Sequence, residues 1–226
     1  RQMCIRDSRE VKMQTKKRII LGSASPRRRE LLEQIGISFE VRVSDKEEVY
    51  HSLIPEEIVK ELALSKAENV ADDLREKQEQ VKQISFDKKN NVLLDTIVIG
   101  ADTIVVSDGS ILGKPKDEAD AVRMIRSLQG RSHKVYTGVA ILDYDDEGKR
   151  KSVVHAVETE VFVNPMSDEE IREYAATGEP LDKAGAYGIQ GQFAAYIERI
   201  DGDYYNVVGL PVSYVYRQLK EIAEKD

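Results

Sequence analysis

A single carboxylate interrupts a long apolar stretch of this sequence. Residues 97–106 are apolar apart from one glycine, Asp102 and Thr103, and they predict a buried β-strand. Alternation along a strand places Asp102 on the same face as Val98 and Ile104, away from solvent. An ionised carboxylate there is costly unless a cation or hydrogen bonds hold it. We therefore predict a functional carboxylate. The plainer alternative is a carboxylate at a strand end that pairs with a nearby Lys or Arg.

A strand–turn–helix junction near the start of the chain could hold phosphate. Residues 18–21 predict a strand, residues 22–25 a turn, and Pro26 the first residue of a helix. Backbone N–H groups at a helix start suit an anion, and Arg27 and Arg28 lie in the first turn, where side chains lean back toward the loop. Taken alone, the segment is also explained by a capped helix with solvated arginines. It is neither a Walker motif nor a dinucleotide fingerprint.

Two adjacent carboxylates, Glu47 and Glu48, follow the second predicted strand. Two or three carboxylates that converge on phosphates are the usual way to hold Mg²⁺ or Mn²⁺. We therefore take this pair, together with Asp102, as candidate metal ligands. An acidic surface loop explains the same pair without any chemistry.

Three lysines and a glutamine have settings that could bring them to the same site. Lys66 lies close to the apolar face of a predicted helix, and Lys114 precedes a proline that restricts its backbone. Lys183 and Gln190 lie in a glycine-rich loop at residues 178–191, where glycines let a backbone pass close to a ligand and these two side chains could make polar contacts. A surface lysine, a plain turn and a flexible loop are the respective alternatives.

The elements that would position these residues alternate between strands and helices. Strands are predicted at residues 18–21, 39–43, 97–106, 134–143, 152–163 and 193–200, and helices at 26–35, from 55, 117–130, 167–178 and 211–223. Asp108 and Gly109 predict a hairpin turn, and Gly100 predicts a close approach of another backbone to its strand. Hairpins among alternating strands and helices predict a mixed α/β fold. Residues 72–92 are polar and predict a surface insertion, an extended helix that ends in a solvated loop.

Composition excludes several classes of function. The chain has 226 residues, enough for one large domain or two small lobes, and its net charge of −7 argues against general nucleic-acid binding. One cysteine, Cys4, allows no intrachain disulfide and favours the cytoplasm. The histidines have no metal-ligand spacing, and no apolar stretch approaches the length of a membrane span. Residues 1–16 are interpreted as a disordered or non-native leader, and residues 17–226 as one domain.

Together these segments resemble the Maf family of nucleoside triphosphate pyrophosphatases. The matching segments are residues 22–32, 66–67, 99–103, 113–115, 179–191 and 206–211. The resemblance implies a mixed-sheet, two-lobed α/β fold with a central cleft, shared with the inosine triphosphatases. It also implies hydrolysis of a nucleoside triphosphate to the monophosphate and pyrophosphate, a divalent cation (Mg²⁺ or Mn²⁺) and often a homodimer.

The resemblance also implies roles for single residues. The family's proton acceptor matches Asp102. Its phosphate and metal positions match Ser23, Arg28, Glu48, Lys66 and Lys114, and its specificity positions match Arg27, Thr103 and Gln190. Residues 25–28, 101–103 and 186–190 are similar to the branch that acts on dTTP and UTP. The insertion at 72–92 departs from the usual bacterial spacing and leaves the motifs intact.

Two alternatives to hydrolysis of dTTP and UTP stay open at this point. One is the same reaction on 7-methyl-GTP, CTP or modified nucleotides. The other, from a different class, is a non-catalytic regulator of cell division that binds nucleic acid or a division protein. The acidic composition and the complete set of polar motifs count against the regulator. The expected partner is therefore a nucleoside triphosphate, with no nucleic acid and no membrane.

Overall fold

The protein forms one mixed β-sheet with helices on both faces. The computed structural model describes residues 15–47, 49–84, 93–145 and 147–225, with the backbone alone at 81–84. Its strands are β1 (Arg18–Leu21), β2 (Glu40–Val41), β3 (Thr96–Ser107), β4 (Ser110–Leu112), β5 (Ser132–Tyr144), β6 (Arg150–Val163) and β7 (Ile197–Asp201). The strand order is β2-β1-β3-β5-β6-β7, and β4 also pairs with β3. β1 runs parallel to β2 and β3, and the other pairs are antiparallel, which confirms the mixed α/β prediction.

Most helices begin where the sequence predicts them. They are α1 (Pro26–Gln34), α2 (Pro55–Ile84), α3 (Glu118–Leu128), α4 (Asp168–Ala176), α5 (Tyr204–Val208) and α6 (Val212–Ala223). Asp117 caps α3 by accepting a hydrogen bond from the backbone of Asp120, and Ser167 begins α4 with a complete capping box. Short 3₁₀ helices lie at Glu179–Asp182, Ala184–Ala186 and Gln192–Tyr196. No described helix is long and apolar enough to cross a membrane.

The two faces of the sheet carry separate parts of the core. On one face the side chains of Leu21 and Ile99 join residues of α1, α3, α4 and α6 in the largest hydrophobic cluster. On the other face α2 covers two smaller clusters, one around Val98 and one around Ile104. Residue 102 falls between these two on β3, so the predicted alternation along this strand is confirmed.

Helix α2 lies unusually close to the sheet. A Cβ atom added at Gly100 would overlap the carbonyl oxygen of Ala63, and one added at Gly138 would overlap that of Val59. Both glycines therefore face the helix backbone directly. The close approach predicted at Gly100 is confirmed, and the approaching backbone is that of α2.

Some element boundaries differ from the prediction. β2 has two residues instead of the five predicted at 39–43. The strand predicted at 193–200 begins only at Ile197, because Phe193 is fully buried against Tyr174 and Tyr187 and this packing holds residues 192–196 in a 3₁₀ turn. Helix α5 had no sequence prediction. The hairpin at Asp108 and Gly109 is confirmed, since both residues have positive φ.

The predicted insertion is partly a continuation of α2, which runs to Ile84. Residues 85–92 lie outside the described residues, as do Glu48 and positions 1–14 of the predicted leader.

Candidate active site

A gap in the strand pairing of β3 opens onto a cleft. β1 pairs with β3 as far as Ile99, and β4 begins to pair at Val105, so residues 100–104 have no strand on this edge in the described sheet. The cleft at this gap has a volume of about 740 Å³, within the range typical of small-molecule sites. Nine of the predicted site residues line it: Ser23, Arg27, Arg28, Lys66, Asp102, Thr103, Lys114, Lys183 and Gln190. Glu47 is exposed and does not line the cleft, and Glu48 is not among the described residues.

Asp102 and Lys66 form an ion pair at the cleft floor. The Lys66 Nζ donates to Asp102 Oδ1 at 2.5 Å, and the two side chains are only 19% and 16% exposed. Lys66 lies on α2, on the face that packs against the even-numbered side of β3. The plainer alternative is right that the carboxylate pairs with a nearby lysine. It is wrong about the position, because Asp102 lies within β3 rather than at its end, and its side chain lines the cleft.

Arg28 is held from three sides beneath the opposite face of β3. Its Nε donates to the Gly209 carbonyl at 2.8 Å, its Nη1 to Ser23 Oγ at 2.9 Å and its Nη2 to Thr103 Oγ1 at 3.0 Å. The side chain is buried, which contradicts the alternative of a solvated arginine at this position. Such a guanidinium has a fixed plane and can direct its positive charge at a bound anion.

Arg27 and Lys183 meet at one carboxylate on the cleft rim. Arg27 Nη1 lies 3.2 Å from Asp182 Oδ2, and Lys183 Nζ donates to Asp182 Oδ1 at 2.7 Å. Burial alone would raise the pKa of the Asp182 carboxyl, but the hydrogen bond and charge of Lys183, with the charge of Arg27, hold this pKa below its ordinary value. Asp182 therefore places two predicted substrate-binding cations side by side.

The glycine-rich loop folds around Glu179, a residue that sequence reasoning missed. Tyr174 Oη donates to Glu179 Oε1 at 2.9 Å, and the backbone N–H of Gln192 donates to Oε2 at 3.0 Å. A Cβ atom at Gly191 would overlap this carboxylate. The sequence predicted that the loop glycines pass close to a ligand; Gly191 instead passes close to Glu179, and this packing sets the position of the neighbouring Gln190.

Lys114 is attached to the same loop. The backbone N–H of Gly185 donates to the Gly113 carbonyl at 3.0 Å, and Gly185 has a φ of 70°. The turn that carries Lys114 and the loop that carries Gln190 are thus joined by a backbone hydrogen bond.

Lys46 is a further cation at the cleft that the sequence analysis did not single out. Its Nζ lies 3.0 Å from Asp73 Oδ1, on the second half of α2. Burial tends to raise the pKa of the Asp73 carboxyl, but hydrogen bonds from Ser44 and Lys46 lower it overall. The loop after β2 is therefore tied to α2 beside the cleft.

The described carboxylates do not form a ready-made metal cage. No group of three or more His, Cys, Asp or Glu side chains is placed to hold a metal among the residues described. Three described acidic residues line the cleft. Glu179 and Asp182 belong to the glycine-rich loop and make the contacts given above, so Asp102 is the candidate metal ligand among the three. Mg²⁺ is often bound by one or two carboxylates together with substrate phosphates, so Asp102 fits a cation that arrives with a triphosphate.

The charge of the cleft is opposite to that of the chain. Six basic and three acidic side chains line it within the described residues, whereas the whole chain carries a net charge of −7. The fold and site thus define an α/β protein with a cationic cleft of nucleotide size. Residues 18–222 match the family of Maf-like proteins, and the chain belongs to this family.

Several relatives match over nearly their whole length. The dTTP/UTP pyrophosphatase of Agathobacter rectalis is 46% identical over 204 residues, which cover 90% of this chain and 97% of that protein. The protein of the same name from Bacillus cereus is 48% identical over 208 residues, or 91% of this chain and 90% of that protein. A solved dITP/XTP pyrophosphatase from Mycobacterium abscessus covers 92% of this chain and 97% of its own at 14% identity and a TM-score of 0.37, a likeness too weak to bear on the site.

Proposed function

We propose that this protein hydrolyses dTTP and UTP to the nucleoside monophosphate and pyrophosphate, as a hydrolase acting on acid anhydrides. The observation that carries the proposal is the excess of basic side chains in the cleft of an acidic chain. The names of relatives 43–48% identical to it support the choice of substrates. The role is removal of unwanted nucleotides from the cytoplasmic pool. A homodimer is also expected, and sedimentation would test it.

In this proposal the phosphates lie over Ser23, Arg28, Lys66 and Lys114. Phosphoryl transfer needs little covalent chemistry from the protein, so catalysis comes mainly from positioning and charge stabilisation. Arg28 supplies a fixed guanidinium at the start of α1, and Lys66 supplies an ammonium from α2. Lys114 approaches from the turn after β4.

Asp102 is proposed to accept the proton of the attacking water. It lies at the cleft floor beside Lys66. Of the three described acidic residues that line the cleft, Glu179 and Asp182 belong to the glycine-rich loop and Asp102 does not. A divalent cation bound by Asp102 and the triphosphate, with Glu48 as a further proposed ligand, would neutralise charge on the phosphates. Lys66 holds the Asp102 carboxylate in its place on the cleft floor.

Arg27, Thr103, Lys183 and Gln190 are proposed to contact the nucleoside. The Gln190 amide offers a donor and an acceptor, which together match the N3–H and a carbonyl of uracil or thymine. Cytosine has an acceptor at N3 and an amino group at C4, so it would leave hydrogen bonds unmade.

The test is pyrophosphate release from a panel of nucleotides with Mg²⁺ or Mn²⁺. We expect dTTP and UTP to have the highest kcat/KM. Faster hydrolysis of CTP, GTP or 7-methyl-GTP would contradict the proposed substrates but would leave the proposed pyrophosphatase reaction standing. No pyrophosphate from any nucleotide, in a folded sample that binds nucleotide, would favour the non-catalytic regulator.

A further inference from the structure

A chain of hydrogen bonds runs from Arg28 through the sheet to α5. Arg28 Nη2 donates to Thr103 Oγ1 at 3.0 Å, and Thr103 Oγ1 lies 2.9 Å from Thr137 Oγ1 on the adjacent strand β5. Thr137 Oγ1 in turn donates to the backbone carbonyl of Asn206 at 2.9 Å. Thr137 is fully buried, and Thr103 lines the cleft.

The number of protons fixes the direction of each bond in this chain. A carbonyl oxygen can only accept, so the one hydroxyl proton of Thr137 goes to Asn206. Thr137 therefore has no proton left for Thr103, and the contact of 2.9 Å between the two hydroxyls requires Thr103 to donate. If Thr137 donated to Thr103 instead, the Thr137 hydroxyl oxygen and the Asn206 carbonyl oxygen would lie in contact with no proton between them.

The Thr103 hydroxyl consequently has a fixed polarity toward the cleft. Its proton points to Thr137, and one of its two lone pairs accepts from Arg28. Only the other lone pair is left for a ligand, so Thr103 can accept a hydrogen bond from a bound group but cannot donate one. A phosphate oxygen, which is itself an acceptor, is thereby excluded as its partner.

We propose that Thr137 is a positioning residue that fixes Thr103 as a hydrogen-bond acceptor, and that Thr103 thereby selects a donor group of the substrate's nucleoside. This inference rests on the proposed function. Two donors are common to dTTP and UTP: the N3–H of the base, for which the Gln190 amide oxygen is a competing acceptor, and the 3′ hydroxyl of the sugar. Cytosine has a bare acceptor at N3, so it would face the Thr103 lone pair with repulsion.

Thr137→Val tests the proposal because it keeps the side-chain shape and removes the acceptor for the Thr103 proton. Thr103 is then free to turn its hydroxyl into the cleft and donate. Thr137→Ser restores the acceptor. Thr159→Val is the matched control: Thr159 is also fully buried and accepts from Asn206 Nδ2 at 2.9 Å, but it does not contact Thr103. Thr137→Ala deletes the same acceptor and replaces Thr137→Val if that variant does not fold.

The readouts are two ratios of kcat/KM, for UTP over CTP and for UTP over 3′-deoxyuridine triphosphate. If Thr103 accepts from N3–H, Thr137→Val lowers the first ratio by about tenfold or more, whereas Thr137→Ser and Thr159→Val keep it. If Thr103 accepts from the sugar, the second ratio falls instead. Wild-type values of both ratios, or an equal loss of rate on all three nucleotides, would overturn the inference. Absence of pyrophosphate release by the unaltered protein would instead overturn the proposed function and, with it, this inference.

Discussion

Asp102 and Lys66 hold one another between β3 and α2, so a change at Asp102 should affect both rate and stability. In Asp102→Asn the amide can still accept from Lys66, but it cannot take a proton from water, and we expect kcat to fall by roughly 10²–10⁴-fold. The loss of counter-charge should also lower the melting temperature. Pyrophosphate release and thermal unfolding measure the two effects.

Asp143→Asn is the matched control for this variant. Asp143 pairs with Lys17 at 2.7 Å, and these side chains are 14% and 12% exposed, but Asp143 does not line the cleft. It should lose stability in the same way and keep full activity. Wild-type turnover by Asp102→Asn would exclude Asp102 as the base.

Lys114 should contribute to binding of the triphosphate, whatever the base. Lys114→Ala is expected to lower kcat/KM for every nucleotide by about tenfold or more while the order of preference stays the same. Lys116, two residues further on, is exposed and outside the cleft lining, so Lys116→Ala should behave like the wild type. A changed preference between UTP and CTP in Lys114→Ala would contradict a phosphate role.

His133 should make the protein less stable in mild acid. Burial lowers its pKa from 6.5 to about 4, and its Nδ1 has no hydrogen-bond partner among the described residues. The unfolded chain binds a proton at His133 more readily than the folded one. This residue therefore leaves the free energy of unfolding unchanged above about pH 6.5 and lowers it as the pH falls toward about 4. The shift limits this loss to roughly 3 kcal/mol.

Urea unfolding of the wild type and of His133→Gln, followed over this pH range, measures the contribution of His133. The wild type should lose more stability than the variant, because glutamine does not titrate. Parallel curves for the two proteins would show that acid acts through other groups.

At the scale of elements, the two halves of helix α2 contribute differently to the cleft and to the core. Its first half carries Lys66, and its early second half still contributes buried Val70, Ala71 and Leu74 and holds Lys46 through Asp73. Asp73 and Leu74, at the start of the predicted surface insertion at 72–92, therefore contribute to the cleft and to the core. Glu79 and Gln80, the last residues of this segment whose side chains are described, are exposed.

Replacement of residues 79–91 with a short Gly/Ser linker should therefore leave kcat/KM within a few-fold of the wild type, since loop length changes closure entropy only slightly. Replacement of residues 72–91 should lower both the melting temperature and the activity, because it removes Leu74 and Asp73. Activity assays and thermal unfolding of the two variants decide the point. Equal effects in both would place an essential contact beyond residue 78.

The sequence predicted the elements and the members of the site better than it predicted their contacts. Asp102 was identified because a charge within an apolar strand needs a partner, and Arg28 because it lies in the first turn of a helix. Glu179 could not be identified, since its partners Tyr174 and Gln192 carry no pattern that connects them to a carboxylate. Thr137 was equally hidden, because a threonine in a strand is ordinary until its neighbour across the strand pair is known.

At the scale of the whole molecule, the charge of the cleft and that of the chain are opposed, which should make substrate binding sensitive to salt. Salt screens exposed charges over about 8 Å at physiological ionic strength, so KM for UTP should rise with added KCl while kcat changes little. Steady-state kinetics over a KCl series measure this, with sucrose of equal osmolarity as the control. A KM that does not depend on salt would contradict a cationic binding site.

The close contact of α2 with the sheet also limits how this protein could be engineered. Glycine-to-alanine exchange is a common way to stabilise a protein, because it reduces the freedom of the unfolded chain. At Gly100 and Gly138 the added methyl group would act as a wedge against the carbonyls of Ala63 and Val59. It would push α2 outward and carry Lys66 away from Asp102. A screen for thermostable variants should therefore recover no alanine substitution at these two positions. A variant with alanine at either position that still folds should have lost catalytic activity.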